Sequence, residues 1–330
     1  MSGVKRSVIF LMTLFVLLCA YWAVGRNIMV KTISSKISEM QSEGFMVVHK
    51  GLSFGGFPFK FRASLSEPNI AAPRSLDKPW SIKADDWRME ALTVNPLKWT
   101  GSHRGEARID MRGSKGERWL FDARPLNIDI AASAGFDGEI KTIDLTGSKL
   151  NTQAVIGTLP PIVAIDKVRL NIAPVAENMR YELNLENIFL EKDALKDLQK
   201  TFGPRIESLT GSALAMGLTS LNADAMDNWK ERGQLISEGW NMSWGKTRFQ
   251  GGFNLTLSET GTSGVIRVEV EDVSALISRL REAGIFSASQ GRNANLAAAL
   301  LPVGQGGRRE ITLTLRDGFI TLFGQKVFEL

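Results

Sequence analysis

The sequence predicts a mainly β protein of the α+β class, in which an N-terminal transmembrane helix precedes a long, curved, mostly antiparallel sheet with a few inserted helices. Three observations lead to this prediction. An uncharged apolar run, residues 8–24, follows Lys5 and Arg6. After residue 45, many short runs alternate apolar and polar residues, as strands covered on one face do. Few later segments have helical spacing, and they do not alternate regularly with strands.

The composition is that of a globular protein and excludes several kinds of site. Of the 330 residues, 44% are hydrophobic and 23% are charged, so the chain can bury a core without disulfides. A single cysteine and two histidines, at 49 and 103, exclude an internal disulfide and a four-thiolate zinc site. The basic residues are scattered and the formal net charge is only +5. We therefore expect no cofactor, no metal centre and no nucleic-acid partner.

The apolar run predicts a membrane anchor. As a helix, Val8–Val24 is about 26 Å long, enough to cross a slightly thinned hydrocarbon core. Tyr21 and Trp22 lie near its end, where aromatic residues meet the membrane surface. The order of basic residues, apolar run and large polar region is that of an export signal. Residues 1–26 are thus predicted to be an uncleaved signal anchor, crossing the inner membrane once, with the C-terminal domain in the periplasm.

Three alternatives to this anchor stay open. Cleavage after Gly25 would satisfy the small-x-small rule through Ala23 and Gly25. A lipoprotein would use Cys19, but the preceding Leu18 stands where a small residue is expected. A buried helix of a soluble protein rarely follows two basic residues at a terminus.

The segment after the anchor is predicted to stay helical. Apolar residues at three- and four-residue spacings form one face of a helix, and Gly44 marks its end: Met29, Ile33, Ile37 and Met40. Residues 27–44 are therefore predicted to be an amphipathic helix or stalk. Residues 45–330 follow as the β-rich periplasmic domain.

An aromatic strand is predicted near the start of that domain. Apolar side chains alternate with polar ones from residue 57 to residue 65, which places the following on one face: Phe57, Phe59, Phe61, Ala63 and Leu65. That face either packs in a filled core or lines a trough for an apolar ligand such as a lipid. In the second case, Phe57, Phe59, Phe61 and Leu65 would face the ligand.

Most of the remaining chain is predicted to be strand. The predicted strands are 80–84, 87–94, 106–111, 119–122, 127–131, 140–150, 162–172, 180–190, 208–218, 240–257, 264–270, 310–315 and 318–323. The predicted helices are 192–202, 222–236, 273–283 and 293–301. The pattern Leu-Thr-Gly-Ser-x-Leu occurs at 145–150 and again at 209–214. Because a glycine inside a strand often marks a bulge or bend, this echo suggests a curved sheet of similar units.

The motif Gly51-x-Ser53-x-Gly55 matches a hydrolase nucleophile elbow. An elbow needs a helix directly after it, but an extended aromatic run follows here. The only later histidine is His103. We therefore interpret Ser53 as a residue of a glycine-rich connection.

Two acidic groups and one glycine-rich segment have weaker patterns. Asp85-Asp86 and the group at 269–272 lack calcium-loop spacing and are interpreted as strand faces and helix caps. The segment 304–309 lacks the Lys-Ser/Thr of a phosphate-binding loop and is interpreted as a loop.

Four segments resemble, in order, the bacterial domain-of-unknown-function family 2125. They are the Gly-aromatic-Pro strand 56–68, the strand 92–96 that closes on Asn-Pro, the Trp-Gly strand 244–255 and the terminal hairpin 313–324. The resemblance implies an exported protein with an N-terminal hydrophobic segment, and it carries no catalytic residues. More loosely, the layout resembles AsmA-like envelope proteins, which have one anchor and a curved sheet with an apolar inner face.

These observations favour a non-enzymatic, membrane-anchored periplasmic protein that binds or carries lipid or another apolar ligand, or that scaffolds the envelope. One alternative is a serine hydrolase that uses Ser53. Another is a purely structural module whose sheet meets a partner protein.

Overall fold

The structure of the protein is a computed structural model, in which the chain folds into two compact units. Unit 1 comprises residues 1–133 and 154–157, and unit 2 comprises residues 134–153 and 158–330. The region 45–330, treated above as one domain, contributes to both. The structure describes residues 2–73, 75, 79–112, 116–123, 129–134, 140–221, 223–258, 261–285, 287–303, 308–316, 319–322 and 325–329.

Unit 1 consists of one long helix and an antiparallel sheet. Its elements are α1 (Ser2–Ser42), β1 (Met46–Val48), β2 (Gly51–Gly55), β3 (Lys60–Ser66), β4 (Asn69–Ala71), β5 (Trp80–Leu92), β6 (Asn95–Arg112), β7 (Arg118–Ala123) and β8 (Asp129–Ala134). One side of β5 pairs with β3 and β4, its other side pairs with β6, and β2 extends the sheet beyond β3. β1 pairs with β4, while β7 and β8 pair with different parts of β6.

Helix α1 is continuous through the predicted anchor and the predicted amphipathic segment. Among the described residues it is the one helix long and apolar enough to cross a membrane. It ends at Ser42, and Gly44 follows with a φ of +89°, a conformation that glycine adopts without steric cost. The Gly44 amide donates to the Gln41 carbonyl and closes the last turn.

The second half of α1 packs on the sheet of unit 1. Met29 lies in a buried cluster with Phe61 and Ala63 of β3. A Cβ at Gly25 would lie 2.5 Å from the Phe61 ring, so the absence of a side chain there lets the helix approach β3 closely. The predicted stalk is therefore part of the core of unit 1.

Unit 2 is an antiparallel meander, and its described residues also form four helices. Its elements are β9 (Ile140–Ile156), β10 (Ile162–Val175), β11 (Asn178–Leu190), α2 (Lys196–Phe202), β12 (Arg205–Met216), α3 (Ala223–Arg232), β13 (Gln234–Trp244), β14 (Thr247–Ser258), β15 (Gly261–Val270), α4 (Val273–Glu282), α5 (Ala288–Leu300), β16 (Arg309–Arg316), β17 (Phe319–Leu322) and β18 (Gln325–Glu329). From β9 to β18, each strand pairs with the next in sequence.

Helices cover the apolar face of this meander near both ends of its strands. At one end, the buried residues Ile172, Met179 and Ala215 pack with Met226 and Trp229 of α3. At the other end, Phe202 of α2 and Ile277 of α4 pack against sheet residues that include Trp244 and Val270. A hydrogen bond also holds α3 on the sheet: the Trp229 indole donates to the Met216 carbonyl at 2.8 Å.

The structure confirms a mainly β protein but corrects several element boundaries. The predicted strands 80–84 and 87–94 are one strand, β5, with an irregularity between Ala84 and Asp86. The predicted strand 240–257 is a hairpin, because the chain turns at Gly245, whose φ is +57°. The predicted helix 222–236 ends at Arg232, since Gln234 already pairs in β13.

The predicted aromatic strand is also corrected. Strand β3 begins at Lys60, and Phe57, Pro58 and Phe59 lie in the turn that joins it to β2. Gly56 adopts a φ of +100°, and Pro58 has no amide hydrogen to donate to a ladder, so pairing stops there. The turn closes through the Lys60 amide, which donates to the Gly56 carbonyl at 2.8 Å.

The core beneath α3 supplies a test of this fold. Met179 is completely buried, so Met179→Ala should lower the free energy of unfolding of unit 2 by about 2–5 kcal/mol. The exposed Met216, on the neighbouring strand, is the matched control, and Met216→Ala should change it by less than about 0.5 kcal/mol. Urea unfolding followed by tryptophan fluorescence measures both. Equal effects of the two substitutions would contradict the described packing.

Candidate functional site

An open apolar groove lies on the covered face of the unit 2 sheet. Its volume is about 390 Å³, within the range of about 300–1,000 Å³ that is usual for small-molecule sites. The groove crosses strands β11 to β14. Its lining residues are Tyr181, Leu183, Leu209, Thr210, Gly211, Ser212, Ala213, Trp240 and Phe253.

Strand register assembles this groove. Leu183 on β11 lies opposite Gly211 on β12, which in turn lies opposite Trp240 on β13. Trp240 lies opposite Gly251 on β14. Because facing residues of adjacent strands share a face, the row brings a large indole between two glycines.

The two glycines make room for the Trp240 side chain. A Cβ at Gly211 would lie 3.0 Å from the Trp240 Cβ, and one at Gly251 would lie 3.1 Å from the indole Cζ2. Gly211 belongs to the second copy of the repeated sequence pattern, where a bulge or bend was predicted. The ladder stays regular at Gly211, and the irregularity falls beside Gly239 instead. The bulge predicted at Gly211 therefore lies on the partner strand β13, and the predicted curvature of the sheet stays a prediction.

The groove is apolar, and the charges of these strands lie on the opposite face. Burial raises the pKa of Tyr181, so its hydroxyl stays neutral across the physiological range. On the other face, Glu186 of β11 pairs with Lys167 of the adjacent β10 at 2.7 Å, and Arg169 of β10 pairs with Asp144 of β9 at 3.1 Å. An amphipathic sheet of this kind offers an apolar ligand one face only.

The aromatic residues predicted from sequence do not share a single strand face. Phe61 is 4% exposed and packs beneath α1, and Leu65 is half-buried further along β3. Phe57 and Phe59, by contrast, are 48% and 73% exposed in the turn. A ligand-facing role for these four residues stays a prediction.

A second apolar groove involves Phe61. It has a volume of about 450 Å³ and lies between α1 and the sheet of unit 1. Its lining includes Val24, Ile28 and Met29 from the helix, and Phe61 and Trp99 from the strands. It is therefore partly built from the candidate membrane helix itself.

The structure places Ser53 within a strand and gives the acidic residues considered above hydrogen-bonding roles in the fold. Ser53 lies within strand β2 opposite Ser64, and a turn and another strand follow it, so the strand–turn–helix of an elbow is not formed. The Asp85 carboxylate accepts a hydrogen bond from the Glu106 amide, and Asp272 caps α4. No group of three or more acidic, histidine or cysteine side chains suits a metal within the described residues. Residues 304–307 lie outside that part of the chain.

The unit 2 groove residues were not singled out by sequence reasoning. Two signals were present: apolar residues alternate through 180–190 and 208–218, and glycines recur inside strands. The sequence does not show which strands pair or in which register, so the glycines could not be placed beside Trp240 from sequence alone.

One charge cluster in unit 1 contains a carboxyl group whose pKa is shifted from its ordinary value. Glu90 of β5 accepts hydrogen bonds from Lys60 at 2.7 Å and from Arg62 at 2.5 Å. Burial acts to raise the pKa of Glu90, but the hydrogen bonds and charges of Lys60 and Arg62 together outweigh it, so the pKa lies below its ordinary value.

Comparison with known proteins identifies a family but no function. The sequence profile described as "Uncharacterized protein conserved in bacteria (DUF2125)" matches residues 22–327. This confirms the resemblance inferred from the four segments. No curated protein and no solved structure matches the chain.

The Glu90 cluster predicts a pH dependence of stability. A carboxyl whose folded-state pKa is lowered stabilises the fold above its unfolded pKa of about 4.3, and this contribution is lost as the pH falls through the folded value. Glu90→Gln should therefore destabilise unit 1 by about 0.5–1 kcal/mol at pH 7, because solvent screens the partly exposed pair. The difference from wild type should vanish in acid. Glu67→Gln, in the exposed pair with Lys50, is the control and should have little effect at either pH.

Proposed function

The chain belongs to the DUF2125 family, and from that premise we propose that it is a non-enzymatic, membrane-anchored protein that binds an apolar chain, such as a lipid acyl chain, on the sheet of unit 2. The apolar groove over Trp240 is the observation that carries the proposal. It lies on a strand face that helices cover near both strand ends.

The lining of the groove suits a hydrocarbon chain. Leu183, Leu209 and Phe253 contribute apolar surface to the groove. Thr210 and Ser212 alternate with Leu209, Gly211 and Ala213 along β12, so their side chains lie on the opposite strand face. Each 100 Å² of apolar surface removed from water contributes about 2.5 kcal/mol, so a chain can bind without specific polar contacts. A contiguous apolar surface left open on a folded unit is typical of a ligand or partner site.

The membrane location is part of the same proposal. Helix α1 is compatible with a single-pass anchor, and its large apolar side chains from Phe10 to Leu17 are each 53–68% exposed. Basic residues precede the apolar run and a large polar region follows it, which favours an inner-membrane protein whose strands lie in the periplasm. The AsmA-like layout noted above has the same arrangement of one anchor and an apolar sheet face.

Lipid occupancy tests the groove directly. The full chain, purified in a mild detergent, should release co-purifying lipid in native mass spectrometry. Leu183→Ser places a hydroxyl in the groove and should reduce the bound fraction at least threefold. Asn184→Ser is the matched control, since its exposed side chain points to the opposite face, and it should leave occupancy unchanged.

Two results would contradict lipid binding. One is a wild-type protein without lipid; the other is equal occupancy in both variants. A wild-type protein without lipid that instead retains a protein at the same face would favour the structural module or envelope scaffold.

Topology is tested with reporters fused after residue 330. A reporter that is active only outside the cytoplasm should be active, and the fusion should stay with membranes after carbonate washing. Activity of a cytoplasm-only reporter would overturn the proposed orientation. Release by carbonate would indicate cleavage near Gly25 instead of a retained anchor.

A further inference from the structure

Two neighbouring hairpin turns of unit 1 carry exposed apolar side chains beside α1. In the β2–β3 turn these are Phe57 and Phe59. In the β5–β6 turn, Leu92 is 51% exposed and Val94 is 90% exposed. We call these four residues the tip cluster. Apolar residues grouped in this way at loop tips mark contact with another molecule or with a membrane.

Hydrogen bonds and ring contacts hold the tip cluster at a defined height on α1. Thr93, which is buried, donates through its amide to the Phe59 carbonyl at 2.9 Å and through its hydroxyl to the Pro58 carbonyl at 2.8 Å. The two turns are thereby joined. The Phe57 ring lies 5.3 Å from the Trp22 ring and 6.4 Å from the Phe15 ring, between centroids.

The rise per residue of α1 relates the height of the tip cluster on the helix to the thickness of a bilayer. Arg6 and Arg26 bound the uncharged stretch of α1, and at ~1.5 Å per residue the helix rises about 30 Å between them. A hydrocarbon core is also about 30 Å thick. Phe15 then lies about 14 Å above Arg6, close to the midplane, and Trp22 lies about 6 Å below Arg26. The Phe57 ring, which contacts both, lies between these levels.

From this geometry we infer that the tip cluster is immersed in the same lipid bilayer that α1 spans, within the leaflet nearer Arg26. The inference rests on the spanning role of α1 in the proposed function. It goes further, because a single-pass anchor alone would leave the strands outside the membrane. Here two hairpin turns enter the bilayer beside the helix, and unit 1 has a fixed position against the lipid.

The backbone of the turns suits an apolar environment. Carbonyl groups without partners are costly in hydrocarbon, and non-helical backbone is tolerated there only where it is satisfied. The Gly56, Pro58 and Phe59 carbonyls all accept bonds within the two turns. Two further carbonyls at these turns accept from the helix: the Trp22 indole donates to the Lys60 carbonyl at 2.8 Å, and the Tyr21 hydroxyl donates to the Thr93 carbonyl at 3.2 Å.

The first charges on these strands lie about 6 Å inside the level of Arg26. Lys60 directly follows the β2–β3 turn at the level of Trp22, and its ammonium group is paired with Glu90. Arg62 joins the same carboxylate from two residues further along β3. Long basic side chains of this kind reach the headgroups while their stems stay in apolar surroundings.

Site-specific fluorescence in vesicles tests the inference. The full chain carrying Cys19→Ala is given one new cysteine, labelled with bimane and reconstituted into phosphatidylcholine–phosphatidylglycerol vesicles with doxyl-labelled lipid. Phe59→Cys and Val94→Cys report on the two turns, and both native side chains are exposed, so folding should be unaffected. Leu14→Cys reports on α1. Arg112→Cys, at the opposite end of β6 and about 55 Å along the strand from its start, is the control outside the membrane.

We expect doxyl lipid to quench Phe59 and Val94 labels at least half as strongly as the Leu14 label, with aqueous iodide quenching them at least threefold less than the Arg112 label. Quenching of Leu14 alone would overturn the inference and leave the anchor intact. No doxyl quenching at Leu14 would overturn both. Tip labels protected from iodide but insensitive to doxyl lipid would also overturn the inference, and would indicate that protein covers the turns.

Discussion

Backbone pairing between successive antiparallel strands is the interaction on which the rest of unit 2 depends. Each strand from β9 to β18 pairs with its neighbour in sequence, and the register decides which side chains share a face. A shift of one residue between β12 and β13 would move Trp240 away from Gly211 and carry it to the polar face. The apolar groove and the outer ion pairs are therefore two results of one hydrogen-bonding pattern.

Glycine in this sheet sets the depth of the apolar surface. At Gly251 an added Cβ would lie 1.9 Å from the Arg267 carbonyl oxygen, so the backbone itself excludes any larger residue. At Gly211 the neighbouring Trp240 fills the space that a side chain would take. The groove floor is then formed by an indole and by backbone. Such a surface accepts a flexible chain by shape and by the hydrophobic effect.

Unit 1 is organised by a different contact, the close approach of α1 to β3 at Gly25 and Phe61. Because the helix packs on the strands along its second half, the apolar segment and the sheet belong to one unit. The hairpin turns consequently have a fixed height on the helix, which a flexible stalk would not provide. In the proposed membrane arrangement, this fixed height relates the length of the helix to the position of the strands at the bilayer.

The sequence by itself determined the class of fold, the apolar N-terminal helix and the family. These follow from local features: an uncharged run between basic residues, period-two alternation, and four motifs in order. The end of the N-terminal helix near Gly44 could also be predicted from the sequence. What the local pattern could not decide is where alternation is interrupted, so that Phe57 and Phe59 were assigned to a strand although Gly56 and Pro58 place them in a turn.

Only the tertiary structure decided which residues meet. The side chains of Leu183, Trp240 and Phe253 come from three strands, and long-range pairing alone brings them to one groove. In the same way, Phe59 is exposed in its turn, whereas Phe61, two residues later, is buried because α1 packs above β3. Alternation fixes the face of a side chain within its strand. Whether that face is covered, open or set into a membrane depends on elements far away in the chain.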